Sequence, residues 1–126
     1  MEQSLPPGLY IVATPIGNLG DMTSRAADTL CRVDYILAED KRVTAKLLAH
    51  IGAKAPMMAY HDHSDERLRE RILADLGTKA VALVSDAGTP LISDPGYKLV
   101  RAARQAGRSI HTLPGPSAAI AALTSL

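Results

Sequence analysis

The residues able to do chemistry in this chain fall into five short polar segments, each following an apolar run. Thr14 to Asp21 reads TPIGNLGD, a tight turn that contains G-x-x-G and nothing longer. Ala38 to Arg42 reads AEDKR: Glu39 and Asp40 have the chemistry to position a hydroxyl or accept its proton, and Lys41 and Arg42 suit phosphate. A solvated helix start is the plainer alternative there, with acids near the positive end of the dipole. His61 to Ser64 reads HDHS. Two histidines at i, i+2 beside one Asp make a weak ligand set without a further donor, so His61, Asp62 and His63 read as acid–base or substrate-contacting groups, and no metal is expected.

The last two segments have a different character. Ser85 to Gly96 (SDAGTPLISDPG) packs two Gly, two Pro, two Asp and two Ser into twelve residues. A turn-rich loop of that length after a buried strand is usually functional, and its backbone donors and acceptors suit a polar small molecule. Leu113 to Ile120 (LPGPSAAI) has Pro116 where a helix tolerates a missing N–H, so free amides of a helix N-terminus are available for a carboxylate or phosphate. Neither G-x-G-x-x-G nor G-x-x-x-x-G-K-[ST] occurs, which disfavours dinucleotide and P-loop sites. Thr14 and Pro15 stand where a phosphoacceptor receiver would need carboxylates.

The apolar runs between these segments are the elements that must position them. Continuous β-rich runs are expected at Leu9 to Ala13, Tyr35 to Ala38, Met57 to Tyr60, Ala80 to Val84 and Ser109 to Leu113. Between them lie helical patterns. The first, capped by Thr23 or Ser24, runs to Arg32 with Ala26, Ala27, Leu30 and Cys31 on one face, which makes Cys31 a core residue. The second spans Val43 to His50 with Val43, Leu47, Leu48 and Ile51 inward and Gly52 as its cap. The third, capped by Ser64, buries Leu68, Ile72, Leu73 and Leu76 and stops at Gly77; the fourth spans Tyr97 to Ala106 with Gly107 as cap. A fifth begins at Gly115 to Ser117. Strand and helix alternating five times predict an α/β fold, a doubly wound, mostly parallel five-stranded sheet with helices on both faces. Ligands of such sheets bind beyond the carboxyl ends of the strands, where all five polar segments fall.

Composition narrows the function classes. With 126 residues, 47% of them hydrophobic, the chain has one-domain size. Trp and Phe are absent and only four Tyr are present, which argues against base-stacking modules. One cysteine excludes a disulfide framework and fits a reducing, cytoplasmic compartment. No apolar run reaches a membrane span, so no membrane partner is expected, and at so low a net charge DNA is not expected either. At a formal charge of +1 there is no global positive field, and any RNA contact must come from a local patch. Basic residues recur at Arg67 and Arg71 and at Arg101, Arg104 and Arg108; these read first as solvated faces.

Taken in order, LYIVATPIGNLGD (Leu9 to Asp21), AED-R (Ala38 to Arg42), YHDHS (Tyr60 to Ser64), VALVSDAGTPLISDPGYKLVRAA (Val81 to Ala103) and LPGPSAAIAAL (Leu113 to Leu123) resemble the tetrapyrrole-methylase-like superfamily, and within it the ribosomal RNA small subunit methyltransferase I group. Gly88-Thr89-Pro90 looks like the counterpart of the superfamily's Gly-Asp-Pro loop. The chain departs from the group at Lys41, where Thr is common, and at Ser64, where Asn is common.

The resemblance implies S-adenosyl-L-methionine as cofactor and 2′-O-methylation of a cytidine ribose in small-subunit ribosomal RNA, free or in the assembled small subunit. By the matching positions, Pro15, Asp86, Ala87, Gly88, Thr89, Ile92, Ser117 and Ala118 would contact the cofactor. Glu39, Asp40, His61 and Asp62 are the candidates for catalysis, with no ground for choosing among them. The group's members carry a second α/β domain, so residues 1–126 read as a single α/β domain forming the N-terminal half of such an enzyme, without its C-terminal domain and with homodimerisation expected. A tetrapyrrole methylase, a nucleotide- or sugar-phosphate-binding module and an inactive folding or dimerisation unit stand as alternatives.

Overall fold

The computed structural model describes residues 5–13, 23–38, 41–60, 66–85 and 94–113. Strand β1 (Gly8–Ala13) leads to helix α1 (Ser24–Arg32), β2 (Tyr35–Ala38), α2 (Lys41–Ile51), β3 (Met57–Ala59), α3 (Glu66–Asp75), β4 (Ala80–Ser85), α4 (Asp94–Gln105) and β5 (Ile110–Leu113). The five strands and four helices expected on the described residues are present, displaced by at most three residues at their ends. The expected fifth helix and the Ser64 cap lie outside the described residues.

The strands pair in the order β3-β2-β4-β1-β5, every pair parallel. β1 to β2 to β3 steps one way along the sheet, and β3 to β4 to β5 steps back. Because parallel crossovers are right-handed, opposite steps put their helices on opposite faces. The core divides accordingly. Tyr10, Val12, Ile36, Ala82 and Val84 pack against Ala26 and Leu30 of α1 and Leu47 and Leu48 of α2. Leu9, Ile11, Leu37, Val81 and Leu83 pack against Ile72 of α3 and Leu99 and Ala103 of α4. Strand residues of alternating parity thus serve opposite layers, which is why these strands read as continuous apolar runs. Leu9, Ile36 and Leu37 are fully enclosed, each such side chain contributing about 1.5–3 kcal/mol of burial.

Local signals hold at the helix ends. Thr23 caps α1, its hydroxyl accepting from the Ala26 N–H at 3.1 Å. Gly52 and Gly107 follow α2 and α4 with φ of +76° and +74°, the left-handed turn expected of helix-ending glycines. Gly77 works differently, since its φ is not positive and a Cβ there would stand 2.7 Å from the Arg108 guanidinium. That guanidinium lies over the end of α3, where Arg108 Nε donates to the Leu73 carbonyl at 3.0 Å. Arg108 is therefore a half-buried tie between α3 and the turn after α4 rather than part of a solvated stripe.

Two inward-facing assignments are corrected. Cys31 is exposed, its thiol 3.7 Å from the Ile51 carbonyl, because the buried arc of α1 runs through Ala26, Thr29 and Leu30. Val43 is 50% exposed and its neighbour Thr44 is 1% exposed. Helix α2 begins at Lys41; Leu47 and Leu48 face inward as expected and Ile51 packs partly buried against the same core, but in the first turn Thr44 takes the inward place expected of Val43.

Candidate functional site

The candidate site is the carboxyl edge of the sheet. The chain leaves β1 at Ala13, β2 at Ala38, β4 at Ser85 and β5 at Leu113, while Tyr60, just past β3, donates its N–H to the Ala38 carbonyl at 2.8 Å. Register brings these ends level: Ala13 is opposite Ser85, Val12 opposite Leu113, and Ala38 opposite both Val84 and Ala59. β1 and β4 are neighbours, yet α1 and α4, the helices that follow them, lie on opposite faces. Ligands of doubly wound sheets settle at such a reversal.

The residues expected to do chemistry follow these ends directly in the chain. Pro15, Glu39, Asp40, His61, Asp62, His63, Asp86, Ala87, Gly88, Thr89, Ile92, Ser117 and Ala118 themselves lie outside the described residues. What the fold brings together is their anchorage. The ends of β1, β4 and β5, which precede the eight expected cofactor contacts, form one side of the edge. The ends of β2 and β3, which precede the acid–base candidates, form the other, with β4 between. All four described helices begin at this edge, so their positive dipole ends face it. A ligand with a carboxylate and polar edges fits that setting.

Three features of the edge were not legible in the sequence. Thr44, in the first turn of α2, has a buried hydroxyl with no hydrogen-bond partner among the described residues. The large hydrophobics Val43 and Tyr97 are 50% and 55% exposed, and both stand in the first turn of a helix that starts here. Charge is also divided by position. Of the thirteen carboxylates six, Asp21, Glu39, Asp40, Asp62, Asp65 and Asp86, stand in the sequence between a strand and the helix that follows it, and none of the fourteen Lys and Arg does. A near-neutral total thus conceals cationic helices and acidic loop sequences.

The opposite edge holds a cleft of about 350 Å³ lined by Asp34, Tyr35, Met58, Arg71, Asp75 and Lys79, among others. Tyr35 donates its hydroxyl to Asp75 Oδ2 at 2.7 Å, and Asp34 Oδ2 accepts from the Ala80 N–H at 2.8 Å. These bonds join the start of β2 to α3 and β4. Burial, then the bond to Asp75, pushes the Tyr35 hydroxyl far above its ordinary pKa. Among the described residues no group of three or more His, Cys, Asp and Glu could hold a metal, and no helix is long and apolar enough to cross a membrane.

A five-stranded parallel sheet with this switch and these loop sequences defines a known class, and residues 8–126 match the profile of the Tetrapyrrole (Corrin/Porphyrin) Methylases; the chain belongs to that family. Within it, the chain is similar to proteins named Ribosomal RNA small subunit methyltransferase I. It is 57% identical to that of Xylella fastidiosa over 96% of this chain and 45% of the relative, and 56% identical to that of Escherichia coli O157:H7 over 93% and 41%. The chain thus spans less than half the length of these relatives. In fold it is similar to the uroporphyrin-III-C-methyltransferase of Thermus thermophilus, with a TM-score of 0.68, 23% identity and coverage of 88% of this chain and 48% of that one. A cobalt precorrin-4 methyltransferase gives a TM-score of 0.70 at 23% identity, covering 85% and 45%.

Proposed function

We propose that this chain is the N-terminal, cofactor-holding lobe of a cytoplasmic, homodimeric methyltransferase that transfers a methyl group from S-adenosyl-L-methionine to the 2′-oxygen of a cytidine ribose in small-subunit ribosomal RNA. The observation that carries the reading is the level register of Ala13, Ser85 and Leu113 at one edge, with the family's segments following each of them. The identity of 57% and 56% to relatives named for ribosomal RNA supports the substrate class.

S-adenosyl-L-methionine, when bound, supplies a methyl group activated by the sulfonium. The chain's task is then to hold the ribose oxygen in line behind that methyl; such positioning can account for about 7–11 kcal/mol of a barrier. Pro15, Asp86 to Thr89, Ile92, Ser117 and Ala118 grip the cofactor on the β1–β4–β5 side. Glu39, Asp40, His61 and Asp62 follow the β2 and β3 ends and would receive the ribose, one of them accepting the proton of its hydroxyl.

The test is methyl transfer by the intact protein to small ribosomal subunits from cells lacking the activity, with the modified ribose located by nuclease-resistance mapping. Transfer to a cytidine 2′-oxygen is expected. Failure to bind S-adenosylhomocysteine in calorimetry would overturn the reading, and transfer to uroporphyrinogen instead would establish a tetrapyrrole methylase.

A further inference from the structure

The outward face of α2 is a strip of positive charge with no carboxylate on the helix. Its sequence, KRVTAKLLAHI, sets Arg42, Lys46 and His50 along that face with Lys41 exposed at its N-terminal end beside the carboxyl edge, and Lys54 follows in the next turn of chain. Thr44, Leu47 and Leu48 face the sheet, which places Arg42 and Lys46, one turn apart, on the opposite side. Lys41, Lys46, His50 and Lys54 are all exposed. Neighbouring α1 carries a single carboxylate, Asp28, held by Arg32 at 3.1 Å. The other layer is different: α3 and α4 carry Glu66, Glu70, Asp75 and Asp94 among their cations, and Arg69 is paired with Glu66.

The position of the strip matters as much as its charge. Helix α2 starts three residues beyond Ala38, at the edge where Glu39 and Asp40 follow β2, and its eleven residues span about 16 Å down the side of the molecule. Val43, 50% exposed in the first turn, continues the accessible surface into that edge. A polyanion whose ribose lies at the β2 side of the edge has the start of α2 beside it.

We propose that the exposed face of α2, continued by Lys54, is the track for the phosphate backbone of the substrate RNA flanking the methylated nucleotide, with Lys41, Lys46 and Lys54 as its phosphate contacts. This rests on the ribosomal RNA reading above. Such contacts fix register on the nucleic acid and carry no base readout. The near-neutral chain reaches RNA through one helix face rather than through its total charge.

The test compares the intact wild-type protein with the Lys41→Gln/Lys46→Gln/Lys54→Gln variant, measuring affinity for small-subunit ribosomal RNA at several salt concentrations and for S-adenosylhomocysteine in parallel. The expected result is RNA affinity weakened about tenfold or more and a log–log salt slope shallower by about two to three, close to one for each neutralised contact. KM for RNA rises while S-adenosylhomocysteine affinity is unchanged. The Lys→Arg version of the same variant should restore binding, and Lys98→Gln/Arg101→Gln on α4 should leave it near wild type. Wild-type affinity and slope in the triple variant would overturn the proposed track while leaving the methyltransferase reading intact, as would an equal loss from the α4 variant. A wild-type protein that binds S-adenosylhomocysteine but neither binds nor methylates RNA would overturn both.

Discussion

Ala13 and Ser85 are Cα partners on the last rung of the β1–β4 pair, and the helices that follow them in the chain, α1 and α4, lie on opposite faces of the sheet. The residue after Ser85 is Asp86, the first expected cofactor contact of that segment. Asp86→Ala should lower S-adenosylhomocysteine affinity about 10- to 100-fold, the size of one lost hydrogen bond to a charged group. Calorimetric titration checks this, and unchanged affinity would remove Asp86 from the site.

Tyr35 and Asp75 predict an alkaline limit to stability. The folded-state pKa of Tyr35 is raised by burial and by its bond to Asp75, and those of Tyr10 and Tyr60 are raised chiefly by burial. A raised pKa means that the folded state keeps its proton where the unfolded chain has lost it. The stabilisation is complete below the unfolded value of 10.0 and falls as pH climbs above it. Melting temperature should therefore fall progressively as pH climbs above about 10. Tyr35→Phe should cost about 1.5–3 kcal/mol at neutral pH and make that drop shallower. Parallel pH profiles for wild type and variant would contradict this origin.

The elements were legible because the fold is locally consistent: apolar runs became strands, Thr23 a cap, Gly52 and Gly107 left-handed helix ends. The carboxyl edge was legible because every polar segment follows an apolar run. What escaped is rotation. Apolar spacing predicts Val43 inward with Leu47 and Leu48; the two leucines are, but in the first turn Thr44 rather than Val43 meets the sheet, so a hydroxyl is buried and a valine exposed. Cys31 sits at the margin of the buried arc of α1, where spacing alone cannot separate core from rim. Arg108 extends a basic periodicity, yet α4 ends at Gln105, and the bond from Arg108 to Leu73 is a tertiary fact with no local signal.

That tertiary tie predicts a coupling. In Gly77→Ala the new methyl group meets the tip of the Arg108 guanidinium, which must shift and weakens its bond to the Leu73 carbonyl, a loss of about 0.5–1 kcal/mol. Arg108→Ala should cost a similar amount. The double variant should cost far less than the sum, since the second change removes nothing that the first has left in place. Additive urea-denaturation energies would show that Gly77 and Arg108 do not interact.

The exposure of Cys31 is directly measurable. As the single cysteine, with its thiol in solvent beside the Ile51 carbonyl, it should react with iodoacetamide in the native protein to one equivalent, at a rate close to that in denaturant. Protection of a hundredfold or more in the native state would mean that the outward face of α1 is covered.

Thr44 supplies the sharpest test of the edge. Its hydroxyl is buried without a partner among the described residues, a condition that costs about 1–3 kcal/mol relative to a satisfied group. Valine has nearly the same shape and no hydroxyl. Thr44→Val should therefore raise the unfolding free energy of the ligand-free protein by about 1 kcal/mol. The same variant separates two reasons for keeping a threonine in the first turn of α2. If the hydroxyl turns to a bound molecule, S-adenosylhomocysteine affinity or KM for RNA worsens severalfold while stability rises. If both stay at wild-type values, the hydroxyl has no part in the site. A fall in stability of 1 kcal/mol or more would show that the folded protein already satisfies it, and the claim of an unpartnered hydroxyl at the carboxyl edge would fail.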